Sequence, residues 1–515
     1  MRKKSFMLAL AVLTAAGSIL LEINAPDRVE RYYQHQYAEL PREEEIAASL
    51  NCIHPSEEVS HYDADAVNVD ELSTHLPLVV IHTREIIPGK AYYSEETSQT
   101  KYTLANDGET TVIGEMKVMD KEGRMHRVSD APDLNTNIRI RVRGNSSRWF
   151  DKSSYAIRTI DAGGENRKVK IMGMEEHHEW ALHGPFLDKS LIRNYVGLNL
   201  SGTIMDYAPD VRLCEVVVNG NYQGVYAMME TVTAGEGRAK VGGINRQKNM
   251  TGYIFQFDVQ RDKPKEQLDN FSKYSWNLKA DSYVKLEYPG RKELTPHLKT
   301  FVEKDLSQFE KALYSFDYDT GRYGYKKYAD VEEFADYIIL MELFEQQDTG
   351  KLSTYYYKEI NGRFKPCVWD FNNCSDNFSV NTTDDYHIRQ FVTVQAPWFL
   401  MMMKDDAFTE YVIRRYHALR RNILTDEFIE AFIDGTVKYL GPAADRNWAV
   451  WGYSFNPENL DTVNKLSPDE RNPENYEAAV NQFRSSLLER AHWLDQNIEI
   501  LRQYSHESAV KKYNH

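Results

Sequence analysis

The stretch CVWDFNN at residues 367–373 closes a short predicted strand and places Asp370 directly after an apolar pair. Another strand is predicted over residues 354–358, and Asp348 comes before it. Together the two strands predict a short hairpin, with the two carboxylates at its adjacent ends. Phosphoryl transfer needs one group that orients the accepting hydroxyl and another that holds the bridging metal. This region therefore predicts both acidic groups of a phosphotransfer centre.

An arginine-rich strand far upstream ends in a small polar turn. Residues 138–143 alternate between apolar side chains and arginine, which is typical of a strand with one buried face. The sequence RGNSS follows at residues 143–147, and its backbone N–H groups could face phosphates. An ordinary glycine turn explains the same residues. If phosphates bind here, the binding residues are Arg143, Asn145 and Ser146.

Two cations and one acid complete the candidate nucleotide site. The sequence YAIR at residues 155–158 resembles the protein-kinase strand that ends in a phosphate-contacting cation, with Arg158 in place of lysine. Lys152 is the rival candidate for this role. A predicted hairpin over residues 211–229, with Asn-Gly at its turn, leads into a segment that looks like the linker between kinase lobes. Glu230 is therefore expected to line the nucleotide cleft.

The period of the apolar residues changes from two to 3.6 beyond residue 290, which predicts a helical second half. Asp330 and Thr425 are predicted to cap two of its helices. The sequence SPDE at residues 467–470 is typical of a helix start. In the first half, Asp188 is expected to cap the start of another helix.

The ends of the chain carry different signals from the body. Residues 1–24 join a basic start to an apolar run, which predicts a signal peptide or a short membrane anchor and hence an extracytoplasmic location. Residues 25–75 show little apolar periodicity and are predicted to form a tether. The folded body is expected to begin near residue 76, and residues 501–515 are assigned to a C-terminal tail.

Charge and cysteine content restrict the function further. The formal net charge of −15 gives no long-range attraction for nucleic acid, which is therefore not expected as a partner. Four cysteines are too few for a disulfide-built scaffold. Cys367 and Cys374 flank Asp370 and either form a bridge in an oxidising compartment or remain packed thiols.

Taken in order, the motifs resemble those of the CotH kinases, a family named for a spore coat protein that phosphorylates other coat proteins. The resemblance covers about residues 76–500. The residues that carry it are Arg143 to Ser146, Lys152, Asp188, Lys189, Arg193, Asn194, Asn219, Gly220, Gly224 to Tyr226, Glu230, Asp348, Trp369 to Phe371, Phe408, Arg415, Tyr416, Arg420, Arg490, Trp493 and Leu494.

Membership of this family implies an α+β class with a two-lobed, atypical protein-kinase-like fold. A β-rich N-lobe would span residues 76–232 and a mainly helical C-lobe residues 233–500, and 515 residues suffice for two lobes. The implied reaction is ATP-dependent transfer of phosphate to Ser or Thr hydroxyls of a protein, with Mg²⁺ or Mn²⁺. In it Asp348 would act as the base and Asp370 would hold the metal.

Two departures from the family pattern affect the metal site. Ser353 stands five residues after Asp348, where family members commonly have a metal-binding asparagine, and Asn372 replaces a second aspartate. With Asp370 and Asn373, they form the predicted metal-binding set, because Mg²⁺ prefers oxygen ligands. A second interpretation therefore stays open, a kinase-fold surface or coat protein that binds partners without transferring phosphate. A glycan-acting enzyme also uses paired carboxylates, but the kinase-like order of motifs has no role in its mechanism.

Overall fold

The structure is a computed structural model that describes residues 31–54, 59–259, 265–274, 283–378 and 390–508. The predicted signal or anchor segment, residues 1–24, lies outside the described residues. So do residues 509–515 of the predicted tail. Within the described ranges, no helix combines the length and the apolar character that a membrane crossing requires.

In the described part of the chain, nine strands precede residue 231. They are β1 (Leu78–Thr83), β2 (Ala91–Ser94), β3 (Gln99–Tyr102), β4 (Val112–Met119), β5 (Leu134–Val142), β6 (Tyr155–Ile160), β7 (Glu179–His183), β8 (Val211–Val218) and β9 (Asn221–Glu230). Seven of them form one sheet that closes on itself in the order β1-β4-β5-β6-β7-β9-β8. The closing pair β1 and β8 is parallel, and the remaining neighbours in this sheet are antiparallel. Strands β2 and β3 form a separate two-stranded ribbon.

The closed sheet follows the residue patterns predicted for it. In β5 the apolar side chains Ile138, Ile140 and Val142 are buried in the sheet's own core, which leaves the alternating arginines on the outer face. Strands β8 and β9 form the predicted hairpin, and its turn residues Asn219 and Gly220 have φ of 51° and 84°. Such left-handed angles at both positions are what a two-residue turn between twisted strands requires.

A second sheet lies later in the chain. Its strands are β10 (Tyr253–Asp258), β11 (Tyr283–Tyr288), β12 (Thr354–Lys358) and β13 (Lys365–Cys367). They are antiparallel in the order β11-β10-β12-β13. Strands β12 and β13 confirm the hairpin predicted before Asp370, whereas β10 and β11 were not predicted. The ring of Tyr356 stacks on that of Phe255 with centroids 5.2 Å apart, so aromatic packing ties the predicted hairpin to β10.

Ten α-helices occur in the described residues. They are α1 (Gln34–Tyr37), α2 (Glu43–Ala48), α3 (Arg193–Ile204), α4 (Pro296–Leu313), α5 (Val331–Leu343), α6 (Pro397–Met402), α7 (Asp406–Arg420), α8 (Asp426–Leu440), α9 (Pro442–Trp451) and α10 (Tyr476–Asn497). The side chain of Asp330 accepts a hydrogen bond from the backbone of α5, and Thr425 does the same for α8, as predicted. Mixed sheets and helices confirm the α+β class.

The tether prediction is wrong for residues 31–54 and 59–75, because much of this segment packs on the body. Gln34 is buried, and its side-chain nitrogen donates to the carbonyl of Leu213 over 3.2 Å. Tyr33 meets Phe432 edge to face with centroids 5.1 Å apart. This packing could not be predicted from apolar periodicity, because the segment is held by hydrogen bonds and single aromatic contacts.

Two predicted helix starts also need correction. At residues 467–470 the chain forms only a 3₁₀ turn, Asp469–Arg471, and α10 begins after the Asn475 cap. Asn472 explains the difference, because its side chain bonds both backbone groups of Leu466 and closes a loop there. Asp188 lies four residues ahead of Ile192, which is the N-cap of α3. The Asp188 carboxylate nevertheless accepts the backbone N–H of Arg193, the first residue of the helix, at 2.9 Å.

Candidate active site

A cleft of about 620 Å³ lies against the outer face of the closed sheet and is bounded on the other side by the second sheet and the segments around β12 and β13. Most residues nominated from the sequence line this cleft. They are Arg143, Asn145, Ser146, Arg158, Asp348, Ser353, Asp370, Asn372 and Asn373. The cleft thus brings together groups that lie more than 200 positions apart in the chain.

The two predicted carboxylates are close enough for their charges to interact. Burial raises the pKa of Asp348, and the neighbouring carboxylate of Asp370 raises it further. Burial also raises the pKa of Asp370, while the guanidinium of Arg143 and the amide of Asn372 lower it. Two partly buried carboxylates whose charges repel each other form a site that a bound cation would stabilise.

Gln346 holds the backbone segments of both acids. Its side-chain nitrogen donates to the carbonyl of Asp370 over 2.5 Å, and its side-chain oxygen accepts the N–H of Asp348 at 3.0 Å. Asp370 itself has φ 60° and ψ 62°, a left-handed conformation that a non-glycine residue rarely adopts. The buried amide of Gln346 therefore fixes the distance between the backbone segments of Asp348 and Asp370, and it does so where the backbone of Asp370 is strained.

Helix α3 supports the other side of the Asp370 loop. Its buried Asn194 donates to the side-chain oxygen of Asn372 over 2.7 Å and accepts the N–H of Phe371 at 3.0 Å. Asn372 in turn donates to a carboxylate oxygen of Asp370 over 2.7 Å. A Cβ on Gly197 would lie 2.4 Å from the ring of Phe371, so this glycine allows the helix to approach the loop.

The opposite wall of the cleft is cationic. The guanidinium of Arg143 lies 5.2 Å from the ring centroid of Trp369, and its charge acts on Asp370. Gly144 follows with φ 112°, a conformation that favours glycine at this turn. Arg158 also lines the cleft, but its guanidinium is hydrogen-bonded to the carboxylate of Glu179.

The placement predicted for Lys152 is wrong, because its ammonium group is buried away from the cleft. Its Nζ donates over 2.7 Å both to the carbonyl of Val225 and to the side-chain oxygen of Asn447. Burial lowers its pKa well below the ordinary value, and the opposing effects of Cys214 and Asp188 do not offset burial. Lys152 thus joins β9 to α9 rather than facing a phosphate.

Glu230 also lies outside the set of described residues that line the cleft. It is buried at the end of β9, where it accepts the N–H of Asp210 at 3.0 Å and lies 3.7 Å from Arg238. Burial raises its pKa to about 7. The residues that follow it, Thr231 and Val232, do line the cleft, so the cleft reaches this segment but not the predicted side chain.

Metal-binding capacity rests on oxygen atoms. Among the described residues, no cluster of three or more His, Cys, Asp or Glu side chains could hold a metal ion. The cleft offers the two carboxylates together with the oxygens of Ser353, Asn372 and Asn373. Such a set fits Mg²⁺ or Mn²⁺, which accept neutral oxygen ligands and retain water. Cys367 and Cys374 are buried free thiols, in agreement with the packed alternative.

Sequence reasoning missed several residues of the site. His183, Gln256, Asp258, Lys285 and Glu287 all line the cleft. The last four lie on β10 and β11, the strands that were not predicted. His183 ends β7 and carried only the signal of a polar residue near a motif. Gln346 bonds backbone groups, which leaves no pattern in the sequence, whereas Asn194 was already among the residues that carry the family resemblance.

A known protein family matches most of the chain. The family model described as CotH kinase protein matches residues 140–494 of the 515 residues, and no curated protein matches the chain. The matched range contains the cationic turn, both acids and the helices that support them. The chain belongs to the CotH kinase family.

Proposed function

We propose that this protein is an ATP-dependent protein kinase that transfers phosphate to Ser or Thr hydroxyls of a protein with a divalent metal. In this proposal the closed sheet is the N-lobe of a two-lobed, kinase-like fold and the rest of the matched range is the C-lobe. The observation that carries the proposal is the meeting of Asp348 and Asp370 in one cleft, opposite Arg143 and its glycine turn. The family match supports a kinase-like protein.

The residues of the cleft divide into three roles. Asp348 would orient the accepting hydroxyl and take its proton, because its raised pKa makes it a stronger base than an exposed aspartate. Asp370, supported by Asn372, would hold the metal, which neutralises charge on the transferred phosphate. Arg143 and the N–H groups of the glycine turn would bind phosphate oxygens.

Transfer of radiolabelled phosphate from ATP to a protein substrate, or autophosphorylation, tests the proposal. We expect transfer that needs Mg²⁺ or Mn²⁺ and that falls about 1,000-fold or more in Asp348→Ala and Asp370→Ala. The exposed Asp461 provides a matched control, since Asp461→Ala should leave the rate unchanged. No transfer with either metal, in a protein that is folded by circular dichroism, would remove the enzymatic proposal.

A second candidate function is a kinase-fold binding protein that has lost transfer activity. Ser353 in the position of a metal-binding asparagine favours it, because a hydroxyl is a weaker metal ligand than an amide oxygen. This candidate predicts partner binding that is indifferent to Asp370→Ala, whereas the kinase proposal predicts loss of transfer in that variant.

The cellular setting follows from the sequence ends and is also a proposal. We propose an extracytoplasmic protein, secreted or anchored through residues 1–24, whose substrates are surface or coat proteins. Fractionation of cells that produce the tagged full chain tests the location. Recovery of the protein in the cytosolic fraction alone would contradict it.

A further inference from the structure

A group of large apolar side chains stays exposed beside the mouth of the cleft. All of them belong to residues 86–113, which include the β2–β3 ribbon and the start of β4. The members, each between 41% and 83% exposed, are Ile86, Tyr92, Tyr93, Tyr102, Leu104 and Ile113. Apolar side chains that are exposed together mark interaction sites more often than single ones do. The proposed function gives this group no role.

The ribbon presents an aromatic face that continues into the cleft wall. Ala91 lies opposite Tyr102, and Tyr93 lies opposite Thr100, so the rings of Tyr93 and Tyr102 are diagonal neighbours on one face. The guanidinium of Arg148 lies 4.4 Å from the ring centroid of Tyr102. Arg148 also lines the cleft, so it joins the aromatic face to the cationic wall.

The ribbon is fixed to both ends of the segment that contains the glycine turn. The backbone N–H of Val142, the residue before Arg143, donates to the carbonyl of Pro88 at 2.7 Å. At the other end, Nζ of Lys90 donates to the carbonyl of Phe150. The ribbon therefore lies directly beside the turn at which the proposed function places the phosphates.

The outer face of β4 and β5 adds an apolar and a cationic group. Ile113 lies opposite Arg139, which in turn lies opposite Arg158 on β6. Side chains alternate along each strand, so Ile113 and Arg139 both lie on the outer face. Arg158 is paired with Glu179, whereas no carboxylate among the described residues lies within ion-pair distance of Arg139. The charge of Arg139 is therefore available to a negatively charged ligand.

A nucleotide does not match these groups. Arg139 lies four residues before Arg143, which is about 13 Å along β5 from the proposed phosphate site. A phosphate chain does not complement the apolar side chains of Tyr93 and Ile113. The connection from β9 to β10 runs along the β7 side of the cleft, where residues 231–233 line it, whereas β4 lies on the other side of β5. The β4 side is thus where a protein segment has access.

We propose that Tyr93, Tyr102, Ile113, Arg139 and Arg148 form a docking surface for the protein substrate. The segment that it binds combines acidic side chains with aromatic or large aliphatic ones near the accepting hydroxyl. This inference rests on the proposed function and names the class of its protein substrate. Tyrosine and arginine carry much of the binding energy in protein interfaces. Because the whole chain has a net charge of −15, these cations also confine an acidic segment to this surface.

Fluorescence anisotropy with synthetic peptides tests the preference without any turnover. The main probe is a short labelled peptide in which Glu and Phe alternate around one Ser. One comparison peptide has Lys in place of Glu, and another has Ala in place of Phe. We expect the unaltered protein to bind the main probe about 10-fold more tightly than either comparison peptide. Equal affinity for the three peptides, no binding, or tighter binding of the Lys peptide overturns the inference.

Two variants separate the charged from the apolar contribution. Arg139→Glu should abolish the preference for Glu over Lys, and Tyr93→Ser should reduce the preference for Phe over Ala by about 5-fold or more. The matched controls are Arg414→Glu and Phe316→Ser, since both side chains are exposed and lie outside the described lining of the cleft. Both controls should bind the three peptides like the unaltered protein. Equal losses in the controls would mean general attraction and overturn the inference.

Nucleotide binding distinguishes this inference from the proposed function. Calorimetry with a non-hydrolysable ATP analogue and Mg²⁺ should give the same affinity for Tyr93→Ser as for the unaltered protein. A parallel loss of nucleotide and peptide affinity in Tyr93→Ser would mean that the ribbon only holds the glycine turn, which overturns the inference. Failure of the unaltered protein to bind the analogue removes the proposed function and with it the substrate role. Normal binding of the analogue without any peptide preference removes the inference alone.

Discussion

The two walls of the cleft are built in opposite ways. On the closed sheet, Arg143 directly follows β5, a regular strand with a buried apolar face. On the other wall, Asp370 sits in a left-handed conformation, and Glu345 and Ser353, on either side of Asp348, have φ of 51° and 48°. Regular backbone presents the cations, and irregular backbone held by side-chain amides presents the acids. The positions of the acids should therefore be more sensitive to remote substitutions than those of the cations.

The largest effect on the cationic wall is expected at Arg143. Arg143→Met removes a guanidinium beside Asp370, so affinity for an ATP analogue with Mg²⁺ should fall about 10- to 100-fold. Arg158→Met should have a smaller effect, because Glu179 already engages that guanidinium. Lys152→Met should leave affinity unchanged and lower the free energy of unfolding by about 1–3 kcal/mol. Calorimetry and urea unfolding measure the two quantities, and a larger loss of affinity for Lys152→Met than for Arg143→Met would contradict this ranking.

On the acidic wall, substitution of a residue that bonds neither carboxylate should still lower the rate of transfer. Gln346→Leu removes both backbone hydrogen bonds that join the Asp348 and Asp370 segments, so we expect kcat to fall about 10-fold. The KM for ATP should change less, because the phosphate-binding residues lie on the other wall. Gln347→Leu is the matched control, since its side chain bonds Glu345 rather than either segment. An unchanged kcat in Gln346→Leu would show that the two loops hold their positions without the amide.

Local patterns explain which parts of the fold could be predicted. The β8–β9 hairpin followed from an Asn-Gly turn, and the start of α5 followed from Asp330, because both depend on neighbours within a few residues. Strands β10 and β11 escaped prediction, since they pair with each other and β10 also pairs with β12, which lies about 100 residues further along the chain. Docking of residues 31–54 depends on similarly distant contacts.

The same distinction applies to the site. Asp348 and Asp370 could be nominated because a hairpin places them at adjacent ends, and Arg143 because it ends an alternating strand. The burial of Lys152 could not be read from its neighbours, since its partners Val225 and Asn447 lie on β9 and α9. Gln346 contacts backbone atoms, so its importance depends on a loop geometry that the sequence does not display.

The smallest effect is expected at Glu345, a fully buried acid between α5 and Asp348. Burial raises its pKa from 4.5 to about 8; Asp376 and Glu342 add to this, while Arg490 and Gln347 oppose it. The folded protein holds this proton more tightly than the unfolded chain. The contribution of Glu345 to the free energy of unfolding is therefore largest below about pH 4.5, and it is lost as the pH rises to about 8.

Glu345→Gln removes the ionisable group, so its effect on stability should depend on pH. The variant should gain a few degrees in melting temperature at pH 8.5 relative to the unaltered protein, and little or nothing at pH 5. Differential scanning calorimetry at both values measures the change, with the exposed Glu359→Gln as the control. An equal shift in melting temperature at the two pH values would show that Glu345 is not held protonated in the folded protein. The left-handed backbone at Glu345 would then be the main constraint on this part of the acidic wall.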